Sequence, residues 1–439
     1  MFPIGPVRDD RPESEYHAMR SAIIAIALLC AVDAGAATTY NDDSCDIGVT
    51  PAATLLLPYF EVEIDKTPLV ARTTMFSVVN TSQYPQIARV TLWSDLAFPV
   101  MNFNLFLTGY DVQSINLYDV LTTGAAAGML TAPGDRSLPN DVNPNHASTL
   151  CDRFALPAAL LADVRSILTT GRGSACPTDP LGTAHAAATG YVTIDVVNSC
   201  NVTFPDSAAY YDELLYDNVL IGDYEQINPH PATGNYASGS PLVHIRAVPE
   251  GGLARANVAT NLPRTFYDRY TPRVSPHIDR RQPLPSAFTA RFIQGGTGAF
   301  NTNLQIWREG FAAATTCADY KKNYYGTNMD VRDIVRFDEH ENSTSNYSSI
   351  RLAELQRTYR LLPAASSTPT SSAMFPPLSS SGDAGGWIYL SLTYPAWVTT
   401  VMSAEGRFSV AYDAQMLGNG CSPAPKTLSP IGPAPNVNP

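Results

Sequence analysis

Residues 73–120 read TTMFSVVNTSQYPQIARVTLWSDLAFPVMNFNLFLTGYDVQSINLYDV. Ala88, Val90 and Leu92 alternate with Arg89, Thr91 and Trp93. Met101, Phe103, Leu105 and Leu107 alternate with Asn102, Asn104 and Thr108, and Ile115 and Leu117 bracket Asn116. Successive side chains of a strand point to opposite faces, so a period of two predicts strands with one packed and one wet face. Turn residues separate the runs: Asn80-Thr81-Ser82 with Tyr84-Pro85, then Asp95 to Pro99, then Gly109 with Asp111. The stretch predicts consecutive antiparallel strands at the start of a sandwich or barrel, and it holds no catalytic spacing.

The same texture extends in both directions. Upstream, ATLLLPYFEVEI predicts a strand interrupted by Pro58, which favours an edge position or a bulge. Downstream, YVTIDVVNSC, PLVHIRAVPEG, FTARFI, LQIW, DIVRF, WIYLSL and RFSVAYD are strand candidates. Between the first strand block and YVTIDVV, residues 122–190 change character. Leu156 to Thr170 predicts a helix, with Pro157 in its first turn, Gly171 at its stop and Leu160, Leu161, Val164, Ile167 and Leu168 on one face. A second helix is predicted over 348–362, through Leu352, Leu355, Tyr359 and Leu362. Residues 363–386 and the tail from 422 to 439 are low-complexity, the first expected as a flexible loop between strands and the Pro-rich tail as extended or disordered. The fold class is therefore all-β: an antiparallel β-sandwich, Ig-like or jelly-roll-like, over residues 38–421 with a small helical insertion.

Residues 21–32 (SAIIAIALLCAV) are a short apolar core between Arg20 and Ala34-Gly35-Ala36, the anatomy of a signal peptide spanning residues 1–36, with Met19 an alternative start. A span of this length falls short of the roughly 20 residues that cross a bilayer, so no transmembrane segment is expected in the mature chain. Secretion to the extracellular space, the cell surface or the periplasm follows. Cys45, Cys151, Cys176, Cys200, Cys317 and Cys421 remain after the leader. An even set in a secreted chain predicts disulfides, with about 15 possible pairings. Net charge is −12 and only 15% of residues are charged, a balance that argues against nucleic-acid binding.

No G-x-S-x-G, H-E-x-x-H, P-loop or dinucleotide fingerprint occurs, and no catalytic residue is assigned. Four weaker constellations stand out. Asp141, Asn143, Asn145 and Asp152 place oxygen ligands at the first, third, fifth and twelfth positions of a calcium-type loop, against which stand Pro144, His146 and the short Asp152. Calcium is the cofactor such a loop would hold. Asp338-Glu339-His340-Glu341 gathers carboxylates at a strand end, where adjacent side chains diverge and a solvated charged end is the simpler reading. Arg264, Tyr267, Arg269, Tyr270, Arg273, Arg280 and Arg281, with His277, form a basic aromatic run suited to an anionic glycan or surface polymer. The competing reading is that these arginines pair with the chain's surplus carboxylates and brace a loop. Finally, Asp95, Asp111, Asp119, Asp212, Glu213, Asp217 and Asp223 are the supply from which a glycosidase would draw its facing pair. The four N-x-S/T sequons, Asn80 among them, read as chance if the producer is a bacterium.

At TTMFSVVNTS, PQIARVTLW and MNFNLFLTGYDVQSINLYDV the chain resembles a group of uncharacterised secreted bacterial β-rich proteins. In these an LPYF strand precedes an FSVVNTS strand and a DFNLYL…YDV segment. Here LPYF is Leu57 to Phe60, and Asn102 replaces the acidic residue. GYVTIDVVN and LVHIRAVPEGG are similar to the same group. The resemblance implies secretion and an all-β core, and brings no activity or site residue with it. The expected function is a structural or binding protein without catalysis, self-assembling or holding a surface polymer. The alternative is a carbohydrate-active protein.

Overall fold

The computed structural model describes residues 50–124, 156–174, 176–177, 184–200, 203–205, 207–229, 236–247, 281–282, 284–295, 300–308, 331–345, 356–360, 384–392, 396–404 and 408–417. All of them belong to one unit, Cys45–Pro439. Its first half contains β1 (Thr54–Val62), β2 (Thr73–Asn80), β3 (Gln86–Ser94), β4 (Pro99–Leu107), β5 (Val112–Asn116), α1 (Leu117–Thr123), α2 (Ala158–Thr170), β6 (Ala188–Val197), α3 (Ala208–Glu213), β7 (Leu220–Asn228), β8 (Tyr236–Pro241) and β9 (Val243–Ile245). The second half is β10 (Ala287–Gln294), β11 (Phe300–Arg308), β12 (Val331–Asp338), β13 (Ser343–Ser345), β14 (Gln356–Arg360), β15 (Ala384–Leu392), β16 (Ala396–Ala404), β17 (Phe408–Asp413) and β18 (Gln415–Met416). The strands form four antiparallel sheets, ordered β4-β3-β6-β1-β9, β5-β2-β7-β8, β13-β12-β15-β10-β18 and β14-β11-β16-β17.

The β4-β3-β6-β1-β9 sheet is a middle layer. On one of its faces Ala88, Val90, Leu92, Val192, Ile194, Leu55 and Leu57 pack with Phe76, Val78 and Tyr224 of the β5-β2-β7-β8 sheet and with Val164, Ile167 and Leu168 of α2. On its other face Leu56, Trp93, Tyr191, Val243 and Ile245 pack with Phe288, Phe292, Leu304, Ile306, Trp307 and Trp397 of the second half. Burying an aromatic or aliphatic side chain of this size stabilises by about 1.5–3 kcal/mol, so both interfaces contribute strongly.

This corrects the expectation of one wet face. Arg89, Thr91, Trp93, Thr193 and Asp195, the polar partners in the alternation, are all fully buried. Alternation in β3 and β6 separates two buried faces of different chemistry, because a second set of sheets covers the polar side. Pro58 sits where expected: the β1–β6 register shifts between Leu57 and Phe60, and β9 pairs with Thr54 to Leu56 only. The missing N–H therefore falls on a bulge, beyond the last β9 partner.

The helix around 156–170 is present as α2, whose C-cap Gly171 has φ 69°. Gly171 N–H donates to Ile167 O at 3.0 Å, the left-handed stop that glycine permits. Arg165 of α2 donates to the carbonyls of Leu121 and Thr122, satisfying the C-terminal end of α1. Two readings change. Leu117 opens α1, with the Asn116 side chain accepting from Tyr118 N–H at 3.0 Å. Residues 356–360 are strand β14, paired with β11 through Leu304↔Tyr359, and not part of a helix. The signal peptide, the low-complexity stretch up to Asp383 and the tail lie outside the described residues.

Candidate functional site

The densest polar cluster grows from one register line across the middle sheet. Asn104, Arg89, Asp195 and Thr54 are successive cross-strand partners on β4, β3, β6 and β1. Period two places them all on the face that meets the second half. Asp195 is fully buried; its Oδ1 accepts from Arg281 Nη1 at 2.8 Å and from the Thr54 hydroxyl, and its Oδ2 from the Tyr210 hydroxyl. Arg281, just 1% exposed, is fixed by a bridge to Ala247 and by Gln282 N–H donating to Arg246 O at 2.8 Å.

Arg89 is equally sealed. Its Nη1 meets Glu213 Oε2 at 2.5 Å, its Nε donates to Asn104 Oδ1 at 3.2 Å and its Nη2 to Ser199 O at 3.1 Å. Thr203 Oγ1 donates to the same Glu213 oxygen at 2.8 Å. The guanidinium carbon lies 5.4 Å from the centre of the Tyr210 ring, a cation–π distance. Burial, then the adjacent Asp195 carboxylate, pushes the Tyr210 phenol well above its ordinary range and outweighs the two arginines, so Tyr210 remains a neutral donor. Two arginines face two carboxylates, so the group balances in formal charge. Removing one partner from such a group leaves an uncompensated buried charge.

Two further clusters lie on the same framework. Beyond β1, Glu63 accepts from Lys66 Nζ at 2.8 Å, from Arg72 N–H at 2.9 Å and from Arg72 Nη2 at 3.1 Å, while Arg72 Nη1 also meets Glu61 at 2.6 Å. Burial pushes the Glu63 carboxyl up, but these three hydrogen bonds and the arginine charge outweigh it and hold it at about 2. Between the halves, Asp413 Oδ1 accepts from Trp397 Nε1 at 3.0 Å and Thr399 Oγ1 at 3.1 Å. Burial raises its pKa, against the pull of those donors. Beside it, Gln226 of β7 and Gln305 of β11 exchange amide hydrogen bonds of 3.0 and 2.8 Å.

Of the arginine/tyrosine run, Arg281 alone is described. It lies in the core against Asp195, as the pairing alternative expected; Arg264, Tyr267, Arg269, Tyr270, Arg273 and Arg280 lie outside the described residues. So do Asp141, Asn143, Asn145 and Asp152, and Cys45, Cys151, Cys317 and Cys421. Cys176 and Cys200 are buried, and each belongs to a disulfide. Among the described residues no group of three or more His, Cys, Asp or Glu is placed to hold a metal ion.

Asp338 is an exposed turn former: its Oδ1 accepts from the N–H groups of His340 and Asn342, each at 2.8 Å. The strand-end carboxylates make separate contacts. Asp95 meets His185 at 3.0 Å, Asp223 accepts from Ser77, Glu213 holds Arg89, and Asp212 and Asp217 are exposed. Sequon residue Asn80 is fully buried, and its amide donates to Tyr84 O and Thr108 O. Sequence reasoning missed Arg89 and Asp195. A signal existed: each is the only charge in its otherwise uncharged strand, QIARVTLWS or ATGYVTIDVV, and the two charges are opposite.

Compared with known proteins, the chain matches no family model, no curated protein and no solved structure. What the fold and these clusters define is a class: an all-β protein of antiparallel, sandwich-like sheets with few helices, braced by buried ion pairs. No helix among the described residues is long and apolar enough to cross a membrane.

Proposed function

We propose that this chain is a secreted, disulfide-stabilised structural or binding protein of the extracellular or cell-surface space, without catalytic activity. One observation carries the reading. The most deeply buried ion pairs among the described residues, Arg89 with Glu213 and Arg281 with Asp195, lie in the core and are bonded within it. A catalytic acid or base must reach its substrate within hydrogen-bond distance; these groups are engaged by one another and by core neighbours such as Thr54, Asn104, Thr203 and Tyr210. The leader-like N-terminus, the even cysteine set and the resemblance to secreted β-rich proteins support the location.

The test is light scattering with negative-stain imaging of the oxidised chain from residue 37 onward, with and without EDTA, beside glycan-binding and hydrolysis panels. A defined oligomer or a bound polymer with no turnover is expected. Turnover that disappears on substitution of one carboxylate would overturn the proposal in favour of a carbohydrate-active enzyme. Collapse in EDTA would point to a structural cation and revive the Asp141–Asp152 loop as its candidate site.

A further inference from the structure

We infer that two copies of this chain associate through the outer edge of β5 and the pair of loops beside it. This deepens the structural reading above and rests on it.

The loops joining β2 to β3 and β4 to β5 are built as one rigid tip. Asn80 N–H donates to Asp111 O at 2.9 Å, and Tyr110 N–H to Ser82 O at 2.9 Å. The buried Asn80 amide donates to Tyr84 O at 2.7 Å and Thr108 O at 2.9 Å, and Ser82 N–H donates to Asn80 Oδ1 at 2.9 Å. Asp111 N–H donates to Thr108 O at 3.2 Å, closing a four-residue turn. Within that turn the glycine is used for clearance: a Cβ on Gly109 would lie 2.2 Å from Gln83 O. Tyr110 therefore takes the left-handed position, φ 60°, that glycine usually fills.

Packing inside this chain does not offset that strain, because Tyr110 is 70% exposed. Tyr84, at 65%, and Val112, at 57%, stand exposed on the same tip. A bulky side chain in strained backbone, displayed to solvent on a fixed loop, points to a contact made outside the chain.

The adjoining edge says what the partner is. Among the described strands β5 pairs with β2 alone. Its sequence, VQSIN, has none of the lysines, prolines or acidic residues that blunt edges. At the opposite end of the same sheet β8 lies against β17. Charge narrows the choice. The whole chain carries −12, so two copies repel over most of their surface. Across residues 80–86 and 108–116 the one charged side chain is Asp111, and its carboxylate accepts from the N–H groups of Thr108 and Val112. A neutral strand edge flanked by tyrosines is its own complement under a twofold axis, antiparallel strand to antiparallel strand. A strongly charged partner would find nothing there to pair with.

Analytical ultracentrifugation of the oxidised chain from residue 37 onward, at low and high salt, tests this. A dimer is expected that tightens as salt screens the net charge. Val112→Lys, at an exposed position, places like charges across the axis and should weaken association about tenfold or more. Tyr110→Gly should weaken it too while leaving the melting temperature unchanged or higher, which separates loss of contact from loss of fold. Association that both variants leave intact overturns this interface and keeps the assembly reading. A monomer at all concentrations overturns the interface, and the turnover panels then decide the broader proposal on their own. A monomer that binds a glycan, with binding lost in Tyr110→Gly, overturns self-association in favour of a sugar site at the tip.

Discussion

Asp195 shows how a residue's neighbours set its role. On an exposed strand face it would be a solvated carboxylate; here it is the acceptor for Arg281, Thr54 and Tyr210 in the core. Arg281→Met leaves that carboxylate buried without its partner guanidinium. Urea unfolding should show a loss of about 3–5 kcal/mol. Adding Asp195→Asn, which keeps an acceptor oxygen but removes the charge, should recover a good part of it. Glu63 gives the acid limb of stability. Its folded pKa, about 2, lies below its ordinary 4.5. Its contribution is therefore complete above about 4.5 and is lost as pH falls toward 2. Glu63→Gln should flatten the fall of unfolding free energy across that window, read from denaturant midpoints at a series of pH values.

Elements were legible where one physical signal dominated. In α2 a proline start, a glycine stop and an apolar stripe agree, and Leu161, Val164, Ile167 and Leu168 are buried. Strand β7 was hidden in an acidic aromatic stretch because three of its alternate positions, Gly222, Gln226 and Asn228, carry no apolar side chain. Gly222 admits Leu242 and Leu55, whose methyl carbons would lie 2.7 and 3.3 Å from a Cβ there, and Gln226 spends its amide on Gln305. The leucine and tyrosine spacing around β14 fits a helix, and pairing to β11 overrode it. The β16–β17 pair carries its own titration. Thr399 and Asp413 are register partners, and Asp413 has its pKa raised, chiefly by burial. The stability it gives is full below its ordinary 3.8 and declines as pH rises through the folded value. Asp413→Asn, still an acceptor for Trp397 and Thr399, should raise the melting temperature at neutral pH relative to the parent and reduce its dependence on pH.

At the scale of the molecule the middle sheet belongs to both cores. Trp93 stacks on Tyr191 at 5.5 Å, and Tyr191 meets Trp307 of the second half edge-on at 5.7 Å. The Gln226–Gln305 pair ties the halves at a second place. Such sharing predicts one cooperative unfolding transition for the whole β region. Trp307→Ala should cost about 3–5 kcal/mol and shift that transition without splitting it. Two resolved transitions in calorimetry would show that the halves unfold separately.

The sequence by itself determined that the chain is built of antiparallel strands, that Pro58 calls for an edge or a bulge in β1 and that a capped helix interrupts the β pattern. These follow from local stereochemistry: period-two alternation, a missing N–H, a left-handed glycine. Only the tertiary structure decided which alternating face met water. Period two distinguishes two faces of a strand but says nothing about what covers each, and in β3 and β6 both are covered. For the same reason it took the folded chain to bring Arg89 to Glu213, 124 positions away, and Arg281 to Asp195, 86 positions away. Arg89 and Asp195, which read as a wet strand face, and Arg281, one residue of the candidate ligand patch, are braces of the core because a second layer of sheets lies on top of them.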